Sequence, residues 1–234
     1  MPTAIITGAS RGLGLALARA LAERGWNLVV DARGGNALRA ATANLAASAA
    51  GGGQVVALAG DVADDAHRHE LVDAAVGLGG IDLLVNNASL LGPSPQPPLA
   101  KYPLDEFARL YEVNVTAPLA LIQLTLPVLV QSPQGAVLNV TSDAGVEGYE
   151  GWGGYGSSKA ALEQLSRVLA VEVPTVAVWW VDPGDMNTQM HQEAFPGEDI
   201  SDRPPPETSV PGIIRLIEDH APSGRYQARA EPQP

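Results

Sequence analysis

A doubly wound α/β sandwich, with a mainly parallel seven-stranded sheet and helices on both faces, is the fold class that this 234-residue chain predicts. Three observations carry it. Short runs rich in Val, Ile and Leu alternate with longer segments of helical periodicity, the pattern of βαβ units around a parallel sheet. The first run leads into a glycine-rich turn, TGASRGLG, directly ahead of a helical stretch. Hydrophobic residues make up 46% of the chain but aromatic ones only 5%, and the Ala-rich remainder suits closely packed helices better than an all-β core.

Strands are expected at 4–7, 28–31, 55–59, 81–86, 136–141 and 176–181, with a short last one at 225–227. Between the first two, GLGLALARALAERGW carries Leu13, Leu17 and Leu21 at helical spacing and stops at Gly25. Further helices are expected at 36–49, 64–77, 104–131, 152–172 and 208–219. Right-handed crossovers place them on both faces of the sheet. Three stretches interrupt the rhythm and read as loops within one domain spanning 1–234. AAGGGQ (49–54) turns from a helix into a strand, and LGPSPQPPLAKYP (91–103) holds too many prolines for a helix or an inner strand. FPGEDISDRPPPETSVPG (195–212) is also Pro-rich and acidic, and the segment 191–212 is expected to be a substrate loop or lid.

A net charge of −12 argues against nucleic acid as a partner, because phosphate binding needs a basic footprint. The absence of Cys excludes disulfides and thiolate metal sites, and four scattered His residues make no metal cluster. His67 and His69, two apart, read as solvated polar residues. No run of 18 apolar residues is present, and the apolar segment Ala4-Ile5-Ile6 is too short for a signal peptide, so a cytoplasmic protein without a membrane anchor is expected.

The glycine-rich turn is the first chemical feature. Gly8, Gly12 and Gly14 there permit a tight turn and let backbone N–H groups approach a pyrophosphate at the positive end of the following helix. From this point the chain resembles a family. TGASRGLG, GDVAD (60–64), LLVNNAS (83–89), VNVTAP (113–118), VTSDAG (140–145), YGSSK (155–159) and VDPGDMNT (181–188) resemble, in order, the motif series of the classical short-chain dehydrogenase/reductase family. The resemblance implies a Rossmann-like fold and hydride transfer between a nicotinamide cofactor and a small carbonyl or alcohol. It also implies cofactor contacts at Gly8, Ser10, Arg11, Gly12, Leu13, Gly14, Arg33, Pro183 and Gly184. Asp61 and Val62 would flank the adenine, Asn87 and Ala88 would line the groove, and Thr188 would meet the nicotinamide. Two positions depart from the family's pattern: Ser89 stands where Gly is usual, and Trp179 or Trp180 where a small polar residue is usual, which bears on the shape of the pocket wall.

Only two of the 14 cations are Lys, and Lys159 follows Tyr155 by four residues, a spacing that turns both side chains toward one groove on a helix. A phenol with a pKa of about 10 is a poor base at neutral pH, and a cation one turn away favours its phenolate. Lysine's compact charge on a flexible stem can also reach ribose hydroxyls, where a guanidinium fork would better suit a carboxylate or phosphate. In the family the tyrosine exchanges a proton with the substrate oxygen. Ser142 ends a predicted strand, where an α/β sheet presents its crevice, and can hydrogen-bond that oxygen. By resemblance, Asn114 holds a water in a proton relay from Lys159. Tyr149 has Gly, not a cation, four residues on.

Asp31 ends the second strand, a place from which a carboxylate can select NAD(H). In the family the selecting acid aligns with Ala32 instead, and Arg11 and Arg33 match an NADP(H)-preferring pattern, so NADP(H) is expected and NAD(H) is the alternative. Leu90, Leu91, Asp143, Val146, Tyr149, Trp152, Asp185, Met190 and 191–210 are the expected pocket walls. Ala161, Leu165, Val168 and Leu169 give the helix at 152–172 an apolar outer face, and a homodimer or homotetramer is expected. A non-catalytic dinucleotide sensor on the same fold is the competing reading.

Overall fold

All seven expected strands form, and every pairing between neighbours is parallel. The computed structural model describes residues 1–229. The strands are β1 (Thr3–Ile6), β2 (Asn27–Ala32), β3 (Val55–Ala59), β4 (Leu83–Asn86), β5 (Ala136–Val140), β6 (Ala177–Asp182) and β7 (Gly224–Gln227). Their order in the sheet, β3-β2-β1-β4-β5-β6-β7, reverses direction between β1 and β4. A crevice opens above the carboxyl ends of the strands at such a point.

Helices cover both faces. On one side lie α1 (Gly12–Ala22), α2 (Gly35–Ser48) and α8 (Val210–Glu218); on the other lie α3 (Asp65–Gly77), α4 (Leu104–Tyr111), α5 (Ala117–Leu129) and α6 (Gly153–Glu172). Strand alternation divides the core accordingly. Ile6, Val30, Val85 and Leu138 pack against Leu17, Leu21 and Ile213, while Ile5, Val29, Leu84 and Val137 pack against Leu71, Leu121 and Ile122. Each such fully buried aliphatic side chain contributes about 1.5–3 kcal/mol of transfer free energy.

Two segments differ from the sequence pattern. The helix expected at 104–131 is broken by a π turn at Glu112–Thr116 between α4 and α5. Pro118 has no N–H to offer the carbonyl of residue 114 and its ring crowds that carbonyl, so the chain widens there. The whole run Leu104–Leu129 is long and apolar enough to cross a membrane by length and composition, yet here it packs alongside α3 and α6. Just ahead of the Pro-rich segment a short helix forms, α7 (Gln189–Ala194), whose cap is the Thr188 hydroxyl accepting from the His191 amide at 3.3 Å.

On α6, Val168 and Val171 are exposed, whereas Ala161, Leu165 and Leu169 are half-buried. Trp179 is wholly buried in β6, and its indole N–H donates to the Ala221 carbonyl at 2.8 Å. This tryptophan therefore belongs to the core, away from the crevice wall.

Candidate active site

The turn after β1 is built around backbone contact. Gly8 adopts φ +68°, and a Cβ on it would fall 2.9 Å from the Ala88 Cα, so the turn lies directly on the chain leaving β4. The Asn87 side-chain carboxamide donates to the Thr7 carbonyl at 2.8 Å and the Gly8 carbonyl at 3.2 Å. The Thr7 hydroxyl accepts from the Asn87 and Ala88 amides, each at 3.0 Å. These bonds tie the ends of β1 and β4 together where the strand order reverses.

Above them runs a groove of about 870 Å³, bordered by Gly8, Ser10, Arg11, Gly12, Leu13, Arg33, Asp61, Val62, Asn87, Ala88, Tyr155, Lys159, Pro183 and Thr188. The volume is that of a site for a small organic molecule or cofactor. Gly14 and Gly184 stand behind this wall. Gly14 packs against the Gly8 carbonyl, and Gly184 lies under the Arg229 guanidinium. With glycine backbone beside the amino end of α1 and two exposed guanidiniums on the rim, the residues present fit the pyrophosphate and phosphate groups of a dinucleotide.

Asp31 also borders this groove, but its carboxylate is engaged by the protein. One carboxylate oxygen accepts the Gly8 amide at 2.7 Å and the other lies 3.1 Å from Nε2 of His67. His67 is buried, against the solvated position expected for it, and the Asp31 hydrogen bond raises its pKa despite an opposing effect of burial. His69 is exposed. Asp61 is held by an ion pair with Arg109 of α4, a partner that nothing local in the sequence signals. Arg11 hydrogen-bonds the side chain of Gln189, joining the glycine-rich turn to α7.

Tyr155 and Lys159 occupy the first turns of α6 and are both buried. The Lys159 ammonium donates to the Val140 carbonyl at 2.8 Å and lies 5.4 Å from the centre of the Tyr155 ring. Burial raises the phenol's pKa, the Asp182 and Asp143 carboxylates add to the rise, and the Ser89 hydroxyl opposes it. Burial also lowers the lysine, to about 8. Here desolvation outweighs the attraction expected from a cation one turn away, and the phenol holds its proton at neutral pH.

Asn114 sits at the π turn, with its polar atoms engaged by the protein. Its amide donates to the Leu90 carbonyl at 2.8 Å and the Ser158 hydroxyl at 3.0 Å; its oxygen accepts the Leu90 amide at 2.8 Å and the Ser89 hydroxyl at 3.2 Å. The Ser142 hydroxyl donates to Asp143 at 2.9 Å. Behind it, Glu163, nearly inaccessible at 1%, accepts from Thr141 at 2.9 Å and from Arg225 at 3.0 Å. Arg225 also donates to the Ser142 carbonyl at 3.3 Å and to Asp182 at 3.4 Å. Glu163 also pairs with Arg167 at 3.0 Å, so two guanidiniums compensate this buried carboxylate. Beside the tyrosine, Leu91 and Ala144 pack with Trp152, Met190 and Ala194, and the Trp152 ring meets that of Tyr155 at 5.8 Å.

A strand-order reversal, a glycine turn beneath a long groove and a buried Tyr–Lys pair bordering it fit an oxidoreductase of the dinucleotide-binding class. A family model described as short chain dehydrogenase matches residues 2–199, and the chain belongs to that family. It is 36% identical over 200 residues to the sepiapterin reductase of Rattus norvegicus, covering 81% of this chain and 76% of that enzyme. To the 3beta-hydroxysteroid dehydrogenase 1 of Eggerthella lenta it is 30% identical over 231 residues, covering 97% and 86%. A solved short chain dehydrogenase from Shigella flexneri, complexed with NADP, superposes with a TM-score of 0.89 at 27% identity, covering 98% of this chain and 97% of that one.

Proposed function

We propose that this protein transfers a hydride between NADP(H) and a small carbonyl or alcohol substrate, with Tyr155 as general acid/base. The observation that carries the reading is the buried Tyr155–Lys159 pair opening onto the same groove as the glycine turn. When bound, the nicotinamide cofactor supplies or accepts the hydride. Tyr155 gives its proton to the substrate oxygen in reduction and recovers it in oxidation. Ser142 turns its hydroxyl from Asp143 to that oxygen, and Lys159 reaches ribose hydroxyls beside the tyrosine. Asn114 supports the site through Ser89 and Ser158.

The preference for NADP(H) is supported by the two faces of the ribose end. The Asp31 carboxylate is occupied by Gly8 and His67, while Arg11 and Arg33 are exposed at the rim. Arg11 would exchange Gln189 for the phosphate, so that α7 and the segment 191–212 respond to cofactor as a substrate loop. The exposed Val168 and Val171 on α6 favour a homodimer or homotetramer. The deciding experiment is a panel of carbonyl and alcohol substrates followed by nicotinamide absorbance, with wild type and Tyr155→Phe in parallel. Cofactor-linked turnover that disappears in Tyr155→Phe supports the reading; an inert wild type that still binds dinucleotide returns it to a non-catalytic sensor.

A further inference from the structure

His67 is a buried titratable group that proton transfer does not use. Its surroundings give it another purpose. The carboxylate it meets, Asp31, is 1% exposed, and a buried carboxylate is costly unless paired and hydrogen-bonded. Asp31 receives two consecutive amides of the glycine-rich turn. Its side chain accepts Gly8 at 2.7 Å and its backbone carbonyl accepts Ala9 at 2.8 Å. The second carboxylate oxygen faces His67 Nε2 at 3.1 Å. The imidazole comes from the first turn of α3, whose start is fixed by the Asp64 carboxylate accepting the Ala66 amide at 2.9 Å. The ring lies against Gly60, where a Cβ would fall 2.3 Å from its Nδ1. Glu70, on the same helix, is the other acid near the ring, at 3.7 Å from Nδ1 and largely exposed. Thus one imidazole touches the exits of β2 and β3 and, through Asp31, the exit of β1.

We propose that Asp31 and His67 form a positioning dyad that holds the Gly8–Ala9 amides in place, setting the affinity for the dinucleotide as a whole and not the choice between its phosphorylated and unphosphorylated forms. The link to affinity rests on the dinucleotide reading above. The dyad's hold on the turn rests on the contacts alone.

Two measurements on the full chain test it, using Asp31→Asn, His67→Ala and the donor-retaining His67→Gln. In protein without cofactor, hydrogen exchange at Gly8 is expected to quicken roughly tenfold or more in Asp31→Asn and His67→Ala, the scale of a charge-assisted hydrogen bond made neutral or left without its support. Exchange in β5 keeps its wild-type rate, and His67→Gln recovers most of the protection. By cofactor fluorescence, NADPH and NADH are each expected to bind roughly tenfold more weakly to the first two variants, with the ratio of their Kd values unchanged. Unchanged exchange at Gly8 in His67→Ala overturns the dyad, as does equal acceleration in β5, which would mark a general loss of stability. A ratio that moves toward NADPH in Asp31→Asn makes Asp31 the ribose-selecting acid instead. If wild type binds neither nucleotide, the oxidoreductase reading fails, and the exchange measurement still decides whether the dyad holds the turn.

Discussion

The ammonium of Lys159 donates to the Val140 carbonyl at 2.8 Å and stands over the face of the Tyr155 ring, 5.4 Å from its centre. Its charge is thus shared between a strand-end carbonyl and the aromatic face, and burial leaves the phenol protonated. Tyr155→Phe is expected to lower kcat by about 10²–10⁴-fold while leaving cofactor affinity close to wild type, since the ring stays and the proton carrier goes. Lys159→Ala is expected to weaken both. Steady-state kinetics with cofactor titration separate the two outcomes, and activity in Tyr155→Phe above about a tenth of wild type contradicts the assignment.

Ser89 opposes the upward shift of Tyr155 and donates to Asn114 at 3.2 Å. Ser89→Gly removes the hydroxyl that favours the phenolate, so the tyrosine's pKa rises. In alcohol oxidation, which needs the phenolate, the rising limb of the kcat profile should then move to higher pH. A profile superimposable on wild type would mean that Ser89 does not act on the phenol.

Arg11 and Arg33 rim the groove, and the Asp31 carboxylate is turned to Gly8 and His67. Replacing either arginine by Ala should reduce the ratio of kcat/KM for NADPH over NADH, by roughly tenfold for each lost charge-assisted contact. The ratio measured for wild type and both variants is the check. A wild type that prefers NADH contradicts the cofactor assignment.

Val168 and Val171 are exposed on α6 at 41% and 81%. A charge at the centre of an apolar contact is costly to bury, so Val168→Glu should shift the protein toward monomer. Light scattering at micromolar concentration reads the change. A monomeric wild type contradicts self-association through this helix.

The sequence was most informative where physics is local. Strand alternation, the helical spacing of Leu13, Leu17 and Leu21, and the four-residue step from Tyr155 to Lys159 depend on neighbours along the chain. The π turn was hidden because a continuous apolar period ran through it, although Pro118 signalled strain four residues after Asn114. His67 was misread because its burial depends on Asp31 and Gly60, which lie on other elements. Glycine just after a strand, with a histidine in the following helix's first turn and an acid ending the previous strand, was the available signal. The burial balance at Tyr155 depends on packing and distant carboxylates, so the residue was legible but its proton affinity was not.

The guanidinium of Arg225 supports the Ser142 carbonyl across a sequence separation of 83 residues. During synthesis the two halves of that contact emerge at different times. All of β1 to β6, with the tyrosine, the lysine and the glycine turn, precedes Arg225 in the chain, so the Ser142 carbonyl gains this partner only once β7 has been made.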